Sequence, residues 1–405
     1  MDTPRWIRMV VVILALVLPA GFAPAQESLN PLLQPYLAAY EIPALAAAVV
    51  QDGQVVAVGA VGTRRWGEAI PVTLDDRFHL GSDTKAMTAT MAAILVERGK
   101  LRWDSTIGEV FPELGGGADP VFKALTVERM LSHTSGLPSD NLSQDAMPYL
   151  ALITNVDGYP PGNLDDIRAW LVGQWAALPM SGRPGVRFEY SNLNYTIVGA
   201  MIERLAGRSW DELIFEWIFL PLGLRSAGLG PQCTPGRVDA PLPHAVIGGK
   251  IKPILAGPMA DNPAVIGPAG IAHMSVLDFA RWAGWNAGQG KRGPALVQPE
   301  TLKKLHTMVA EMPPAKDAPI GTPPSGRYAF GWGEVRLEGY PNPLISHGGS
   351  NGMNIARILF DPAADFAVVI LTNIATPKCD SAMKVLTREL IDKYAERGTR
   401  PAAQP

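Results

Sequence analysis

The strand-like segments of this 405-residue sequence are concentrated near its two ends, with helical, loop-rich sequence between them. Near the start, Ala44 to Gln51 and Val55 to Ala60 are apolar, and the intervening Asp52-Gly53 is typical of a type I′ hairpin turn. Near the end, Asn354 to Phe360 and Phe366 to Leu371 indicate a second hairpin. We therefore predict a protein of the α/β (α+β) class, in which one antiparallel sheet is built from both termini and flanked by helices, with a mostly helical region inserted.

Helical periodicity and end signals predict several helices around this sheet. The segment from Thr84 to Arg98 is apolar nearly all round and is followed by Gly99, so we expect a buried helix that ends there. Ser275 is placed to cap another helix. The predicted helices are Leu29 to Tyr40, Thr84 to Arg98, Leu193 to Leu205, Val276 to Ala287 and Ser381 to Arg397.

The length allows one large domain or two in close contact, and we predict a single domain. Gly and Pro are frequent, at 41 and 37 residues, which predicts long loops around a packed scaffold. Three stretches rich in Gly, Pro and polar residues are candidate loops around a site: 139–165, 232–263 and 308–327. The predicted organisation is a domain over 26–397, with sheet regions at 26–80 and 265–397, a mainly helical region at 81–264, and a disordered tail at 398–405.

Composition excludes several classes of protein. A hydrophobic fraction of 47% with 18% charged residues excludes a disordered chain. A net charge of -3 supplies no cationic surface for nucleic acid. Cys233 and Cys379 are too few for a disulfide framework or a thiolate metal site, and they could either form one disulfide or remain separate thiols. The six histidines have no ligand spacing, so no metal and no cofactor is predicted.

The first residues have the pattern of a signal peptide. Arg5 and Arg8 precede an apolar run from Met9 to Leu18, and Ala23-Pro24-Ala25 provides a small-residue cleavage site. A membrane anchor is the alternative, but the run is shorter than the roughly 20 residues that a span requires. We predict cleavage after Ala25 and a periplasmic or secreted mature chain with no stable membrane span.

The start of the predicted buried helix carries a possible nucleophile. Ser82-Asp83-Thr84-Lys85 places a hydroxyl and an amine one helical turn apart on the same face. Ser82 lies at the helix N-terminus, where the helix dipole favours developing negative charge. A second S-x-x-K match, Ser381 to Lys384, lies in the last helix with no chain left to build a site, so we interpret it as a solvated face.

Two further segments could complete a catalytic site. In Tyr190-Ser191-Asn192, the phenol could shuttle a proton and the amide could orient a substrate carbonyl. His347-Gly348-Gly349-Ser350 follows an apolar strand, and its glycines allow a substrate to lie close to the backbone. The amide of Ser350 could form half of an oxyanion hole, with the amide of Ser82 as the other half. By itself, His347 could equally be a structural histidine.

In this order, the S-x-x-K, Y-S-N and H-G-G motifs resemble the serine β-lactamase and penicillin-binding-protein superfamily. The chain is most similar to class C β-lactamases, family VIII esterases and D-aminopeptidase-type hydrolases, which implies a β-lactamase-like fold. The similarity runs over roughly residues 30 to 375. Besides the three motifs, it includes Phe78 to Gly81, Leu95 to Leu101, Met130 to Pro138, Gly267 to Gly270, Asp278 to Trp282 and Tyr328 to Trp332.

The resemblance implies a role for each motif residue. Ser82 matches the acylated nucleophile, and Lys85 matches the lysine that takes or relays its proton. Tyr190 matches the tyrosine that protonates the leaving group and activates water. Asn192 matches the amide at the substrate carbonyl. To act as a base at pH 7, either the lysine or the tyrosine needs a pKa about 3 units below its free value, so we expect the pair to titrate as a coupled unit.

The third motif departs from the family pattern. His347 and Gly349 match the ends of the family's K-T-G triplet, so His347 replaces the lysine and Gly348 replaces the threonine. The family's lysine helps to hold a β-lactam carboxylate, whereas a histidine with an ordinary pKa near 6.5 is mostly neutral at pH 7. The glycine also removes a hydroxyl. We therefore expect carboxylic esters as the first substrates, small amides or D-amino-acid peptides as the second, and β-lactams as the third.

The prediction is thus an exported serine hydrolase that acts through an acyl-enzyme on Ser82, with a small ester, amide or peptide as its substrate. A β-lactamase or DD-peptidase is the alternative within the family. A β-lactamase-like binding or sensor module is the alternative of another class, although the chain keeps both Ser82 and Lys85. Gly348 to Gly352 also fits the G-x-S-x-G nucleophile elbow, but no histidine follows His347 to complete that triad. The sequence leaves the oligomeric state open.

Overall fold

The computed structural model describes residues 26–139, 144–255, 257, 260–314 and 325–395. The predicted signal peptide and the predicted tail lie outside these residues. The fold is of the predicted mixed class and is organised around one large sheet. The strands of the whole fold, in this sheet and outside it, are β1 (Glu27–Ser28), β2 (Ala44–Gln51), β3 (Gln54–Gly62), β4 (Arg77–His79), β5 (Gly228–Leu229), β6 (His244–Ile247), β7 (Lys250–Pro253), β8 (Ala272–Ser275), β9 (Ala310–Met312), β10 (Gly326–Tyr328), β11 (Gly333–Val335), β12 (Leu344–Ser350), β13 (Ile355–Asp361) and β14 (Phe366–Thr372).

The main sheet joins the two ends of the chain, as predicted. Its nine strands run in the order β1-β3-β2-β14-β13-β12-β11-β10-β9, so strands from the start of the chain pair with strands from its end at β2 and β14. All neighbouring pairs are antiparallel except β1 and β3, which are parallel at the edge. In the hairpin between β2 and β3, both Asp52 and Gly53 have positive φ angles, as a type I′ turn requires.

The central strand β14 is buried on both faces, which explains its uninterrupted apolar sequence. Val368 and Ile370 face one layer of the core, and Val369 and Leu371 face the other, because successive side chains of a strand alternate. Helices pack on both of these faces.

The thirteen α-helices of the described residues include all five that were predicted, with small differences at their ends. Ser275 caps its helix through the amide of Asp278, as expected. The last helix begins at Pro377 rather than Ser381, because the Thr376 side chain accepts from the Cys379 amide. The helices are α1 (Asn30–Tyr40), α2 (Thr84–Glu97), α3 (Ile107–Val110), α4 (Pro120–Lys123), α5 (Val127–Leu131), α6 (Met147–Thr154), α7 (Leu164–Trp175), α8 (Asn192–Ala206), α9 (Trp210–Ile214), α10 (Gly267–Gly270), α11 (Val276–Ala287), α12 (Pro299–His306) and α13 (Pro377–Tyr394).

Helix α2 is buried over nearly its whole length, in agreement with its apolar sequence. Close backbone approaches fix its neighbours. A Cβ atom on Gly331 would lie 2.7 Å from the Ala86 Cα atom, and a Cβ on Gly199 of α8 would overlap the Pro268 ring of α10. Gly199 lets α8 pack directly on α10, and Gly331 lets the segment between β10 and β11 pack directly on α2. Helix α2 also contacts α8 and α10, so these three helices meet at one place.

Two further expectations concern cysteines and membranes. Cys379 is a buried, reduced thiol that lies 3.4 Å from the Thr372 hydroxyl, so the structure does not contain the disulfide that was one of the two alternatives. Burial raises the pKa of Cys379 to about 11, which keeps the thiol protonated. Within the described ranges, no helix is both long and apolar enough to cross a membrane.

Candidate active site

Ser82 and Lys85 are in direct contact. Ser82 lies in a short 3-10 turn, Gly81–Asp83, that leads into α2, and Lys85 lies in the first turn of that helix. The Lys85 Nζ atom donates to the Ser82 Oγ atom at 2.9 Å. The spacing of three residues therefore brings a hydroxyl and an amine together, as the sequence predicted.

The Lys85 amine is held by two other segments of the chain. Its Nζ atom donates to the Asn192 Oδ1 atom at 2.5 Å and to the Ala269 carbonyl at 2.8 Å. Asn192 is the first residue of α8, and Ala269 lies in α10. The Lys85 side chain is fully buried, so these oxygens replace the water that an exposed amine would bind.

Tyr190 lies directly beside the amine. Its ring centroid is 4.8 Å from the Lys85 Nζ atom, which is a cation–π distance. The segment that carries Tyr190 enters α8, whose first residue Asn192 is also at the site. The structure thus brings the S-x-x-K and Y-S-N motifs together around one amine.

The end of β12 packs against the turn Gly81–Asp83, which carries Ser82 and is named the nucleophile turn for the role predicted for that serine. A Cβ atom on Gly349 would overlap the Leu80 carbonyl and lie 2.8 Å from the Ser82 amide nitrogen, and a Cβ on Gly81 would overlap the Ser350 amide. The backbone segments that carry the Ser82 and Ser350 amides are therefore in contact. This contact requires glycine at both positions, and it fits the predicted oxyanion hole.

His347 lies in a buried hydrogen-bonded chain. Its Nε2 atom is 3.0 Å from the Tyr328 hydroxyl, and its Nδ1 atom is 3.2 Å from an Asp83 carboxylate oxygen. All three side chains are buried. Burial raises the pKa of Asp83, and the hydrogen bond to His347 opposes that shift. Both ring nitrogens of His347 thus have protein partners, so its ring is held in a fixed orientation beside the nucleophile turn.

Four groups at the site had no predicted role: Asp83, Tyr328, the Ala269 carbonyl and His133. Each of them lies in a segment that the family resemblance includes or adjoins. Desolvation lowers the pKa of His133 well below its usual value, and the charge of Lys85 acts in the same direction. Their partners lie far away in the sequence, and only the fold reveals these contacts.

The competing motifs do not form a second centre. Ser381 donates to the Pro377 carbonyl within α13, and Lys384 forms an exposed ion pair with Asp380, in agreement with a solvated helix face. Ser350 is exposed at the end of β12. In the part of the chain that the structure describes, no group of three or more His, Cys, Asp and Glu residues could hold a metal ion.

Comparisons with known proteins show the family and the fold. The sequence model called Beta-lactamase matches residues 29–391. Penicillin-binding protein 4 of Amycolatopsis lactamdurans is 27% identical over 374 residues, which are 90% of this chain and 90% of that protein. The octameric penicillin-binding protein homologue from Pyrococcus abyssi has a TM-score of 0.67 and 25% identity, and the match covers 89% of this chain and 76% of that one. EstCE1, a hydrolase with promiscuous acyltransferase activity, has a TM-score of 0.69 at 22% identity, covering 86% of this chain and 93% of that one.

Proposed function

The chain belongs to the β-lactamase family and is a serine hydrolase of the β-lactamase and penicillin-binding-protein type, and we propose that it is an exported enzyme that forms an acyl-enzyme on Ser82. The observation that carries this proposal is the 2.9 Å contact between the buried Lys85 Nζ atom and the Ser82 Oγ atom. A hydroxyl activated by an adjacent amine is a nucleophile–base pair. Export, to the periplasm or beyond, rests on the signal-peptide pattern before Gln26.

In the proposed reaction, the Ser82 oxygen attacks the carbonyl carbon of the substrate while its proton passes to the unit formed by Lys85 and Tyr190. The negative charge on the carbonyl oxygen is stabilised by the Ser82 and Ser350 amides. The same unit returns a proton to the leaving group, and Asn192 orients the acyl group. A water molecule then attacks the acyl carbon and gives up a proton to the same unit. The bond from that carbon to the Ser82 oxygen breaks, the unit returns the proton to Ser82, and the acid product leaves. We treat the lysine and the tyrosine as one acid–base unit because the Lys85 Nζ atom lies 4.8 Å from the Tyr190 ring centroid.

We propose neutral acyl donors as substrates, with carboxylic esters first. The position that matches the family's lysine holds His347, whose nitrogens already bind Tyr328 and Asp83. Because both nitrogens of His347 already have protein partners, neither is placed to hold a substrate carboxylate, which disfavours an anionic substrate. Small amides and D-amino-acid peptides come second. β-Lactams, which carry a carboxylate, come third.

A substrate panel tests this ranking. We expect the purified mature chain to hydrolyse p-nitrophenyl butyrate faster than a D-alanine p-nitroanilide or a D-Ala-D-Ala peptide, and all three faster than nitrocefin. Ser82→Ala removes the activity, and Ser381→Ala, which changes the serine of the second S-x-x-K match, retains it. Nitrocefin as the best substrate would overturn the ranking. A folded protein without activity toward any acyl donor would support the binding or sensor module instead.

A further inference from the structure

We propose that His133 is a positioning residue that holds Tyr190 in its place beside Lys85. This inference rests on the proposed function, because it assigns a task in the same reaction. His133 follows α5, in the loop that passes behind the Y-S-N segment. None of the catalytic roles discussed above involves this residue.

His133 binds the backbone on both sides of Tyr190. The Glu189 amide donates to the His133 carbonyl at 2.8 Å, and the Ser191 amide donates to the His133 Nδ1 atom at 3.2 Å. These two bonds fix the peptide unit that follows the tyrosine and the backbone amide of the residue that precedes it. The Tyr190 backbone can therefore shift only if the segment breaks a hydrogen bond to His133.

The ring of His133 also supports the ring of Tyr190 directly. The two ring centroids are 4.3 Å apart with an angle of 34° between their planes. The Lys85 Nζ atom lies 4.8 Å from the same Tyr190 centroid. The tyrosine ring is thus in contact with both an imidazole and an amine. Further aromatic side chains pack around the imidazole: Phe188, Tyr195 and Tyr328.

The hydrogen bonds require a neutral imidazole with an unprotonated Nδ1 atom. A backbone amide can only donate, so the Nδ1 atom accepts from Ser191, and it lies 3.2 Å from the side-chain amide of Asn194 as well. His133 is fully buried, which favours this neutral form. The burial of the ring therefore preserves the acceptor on which the Tyr190 segment depends.

The backbone of His133 has an unusual conformation. Its φ angle is 56°, in the left-handed region that residues other than glycine seldom occupy, although asparagine and histidine do so more often than most. This conformation allows one residue to present its carbonyl to Glu189 and its ring to Ser191. Asparagine suits the same backbone and carries a side-chain acceptor, which makes His133→Asn a conservative replacement.

A double-mutant cycle with p-nitrophenyl butyrate tests the inference. We expect His133→Leu, which has no acceptor, to lower kcat by about 100-fold with KM changed by less than about threefold, since a small misplacement of a catalytic group can cost this much. We expect His133→Asn to lower kcat by about tenfold or less, because its amide oxygen restores the bond to Ser191. In a Tyr190→Phe background, either substitution should lower kcat by less than about threefold, because the hydroxyl it positions is already absent.

Controls separate positioning from general loss of structure. Phe188→Leu alters an edge contact to the imidazole without removing either hydrogen bond, and we expect it to keep kcat within about threefold of wild type. Thermal unfolding identifies folded variants. If His133→Leu does not fold, His133→Asn carries the test. We then expect its smaller loss of kcat when Tyr190 is present and no such loss in the Tyr190→Phe background.

The outcomes distinguish this inference from the proposed function. The positioning role is overturned if His133→Leu and His133→Asn lower kcat equally and if both losses of kcat persist in full in the Tyr190→Phe background. Wild-type kcat in His133→Leu together with a large loss in Tyr190→Phe overturns this inference alone. Wild-type kcat in Tyr190→Phe overturns both this inference and the proposed role of the tyrosine. Full activity in Ser82→Ala overturns the proposed function.

Discussion

Two adjacent glycines on β12 differ in what a side chain would meet. A Cβ atom on Gly349 would overlap the Leu80 carbonyl and press on the Ser82 amide, whereas a Cβ on Gly348 would have only the Ala356 carbonyl nearby, at 3.9 Å. We expect Gly349→Ala to displace the nucleophile turn and to lower kcat/KM for the p-nitrophenyl ester by about 100-fold or more. We expect Gly348→Ala to retain activity within about threefold. Steady-state kinetics on the two variants make the comparison, and equal activities would show that β12 does not position the turn.

The residues that meet at the site could be predicted from the sequence more fully than the contacts between them. The pairing of Ser82 with Lys85 follows from helical spacing, so it was predictable. The hydrogen bond between Lys85 and Asn192 joins residues 107 positions apart, and only the family resemblance placed them at one site. The contact between Asp83 and His347 spans 264 positions and depends on how β12 approaches the nucleophile turn. No local pattern encodes such an approach.

At the scale of elements, the packing of α8 on α10 can be tested with two helix glycines. A Cβ on Gly199 of α8 would overlap the Pro268 ring, whereas a Cβ on Gly173 of α7 would make an ordinary 3.8 Å contact with Leu114. We expect Gly199→Ala to lower the free energy of unfolding by about 1–3 kcal/mol through overpacking. We expect Gly173→Ala to change it little or to raise it by up to about 1 kcal/mol through helix propensity. Urea denaturation measures both values.

The activity of the Gly199→Ala variant provides a second readout. Pro268 precedes Ala269, whose carbonyl accepts from the Lys85 amine, so displacement of α10 should also disturb the amine. A stable and fully active Gly199→Ala variant would contradict the tight packing between these helices.

Elements with a long periodic pattern were predicted well, and short ones were not. The hairpin of β2 and β3 and the helix that Ser275 caps lie close to their predicted bounds. Strands β9, β10 and β11 have three residues each, which is too few to show an alternating pattern. Their pairing at the sheet edge is decided by tertiary contacts rather than by local sequence. The parallel pair of β1 and β3 was missed for the same reason.

At the scale of the whole molecule, buried histidines make stability depend on pH. Burial lowers the pKa of His306 to about 3 and the pKa values of His244 and His273 to about 4. In the unfolded chain a histidine has a pKa near 6.5, so the unfolded state takes up protons below that pH while the folded state does not. Their contribution to stability is therefore complete above pH 6.5 and is lost as the pH falls toward 4.

Replacement of His306 isolates one of these contributions. The ring bridges Asn286 and Gln289 with one nitrogen toward each, as a neutral imidazole can. When the pH falls from 7.5 to 5, a histidine that stays buried and neutral in the folded state should lower the free energy of unfolding by about 2 kcal/mol. The free energy of unfolding should therefore fall less in His306→Gln than in the wild type between these two pH values, by about the same amount. Glu203, whose pKa burial raises to about 7, acts in the opposite direction, but it is present in both proteins and cancels. An identical pH dependence in the variant and the wild type would contradict the buried neutral ring.

The covalent intermediate provides the most direct test of the whole account. The wild-type chain should be treated with a fluorophosphonate, and its intact mass and the labelled peptide should be determined by mass spectrometry, with Ser82→Ala and Ser381→Ala treated in parallel. We expect one adduct on the peptide that contains Ser82 in the wild type and in Ser381→Ala, and none in Ser82→Ala. An adduct of the same stoichiometry in Ser82→Ala, or labelling confined to another serine, would contradict it.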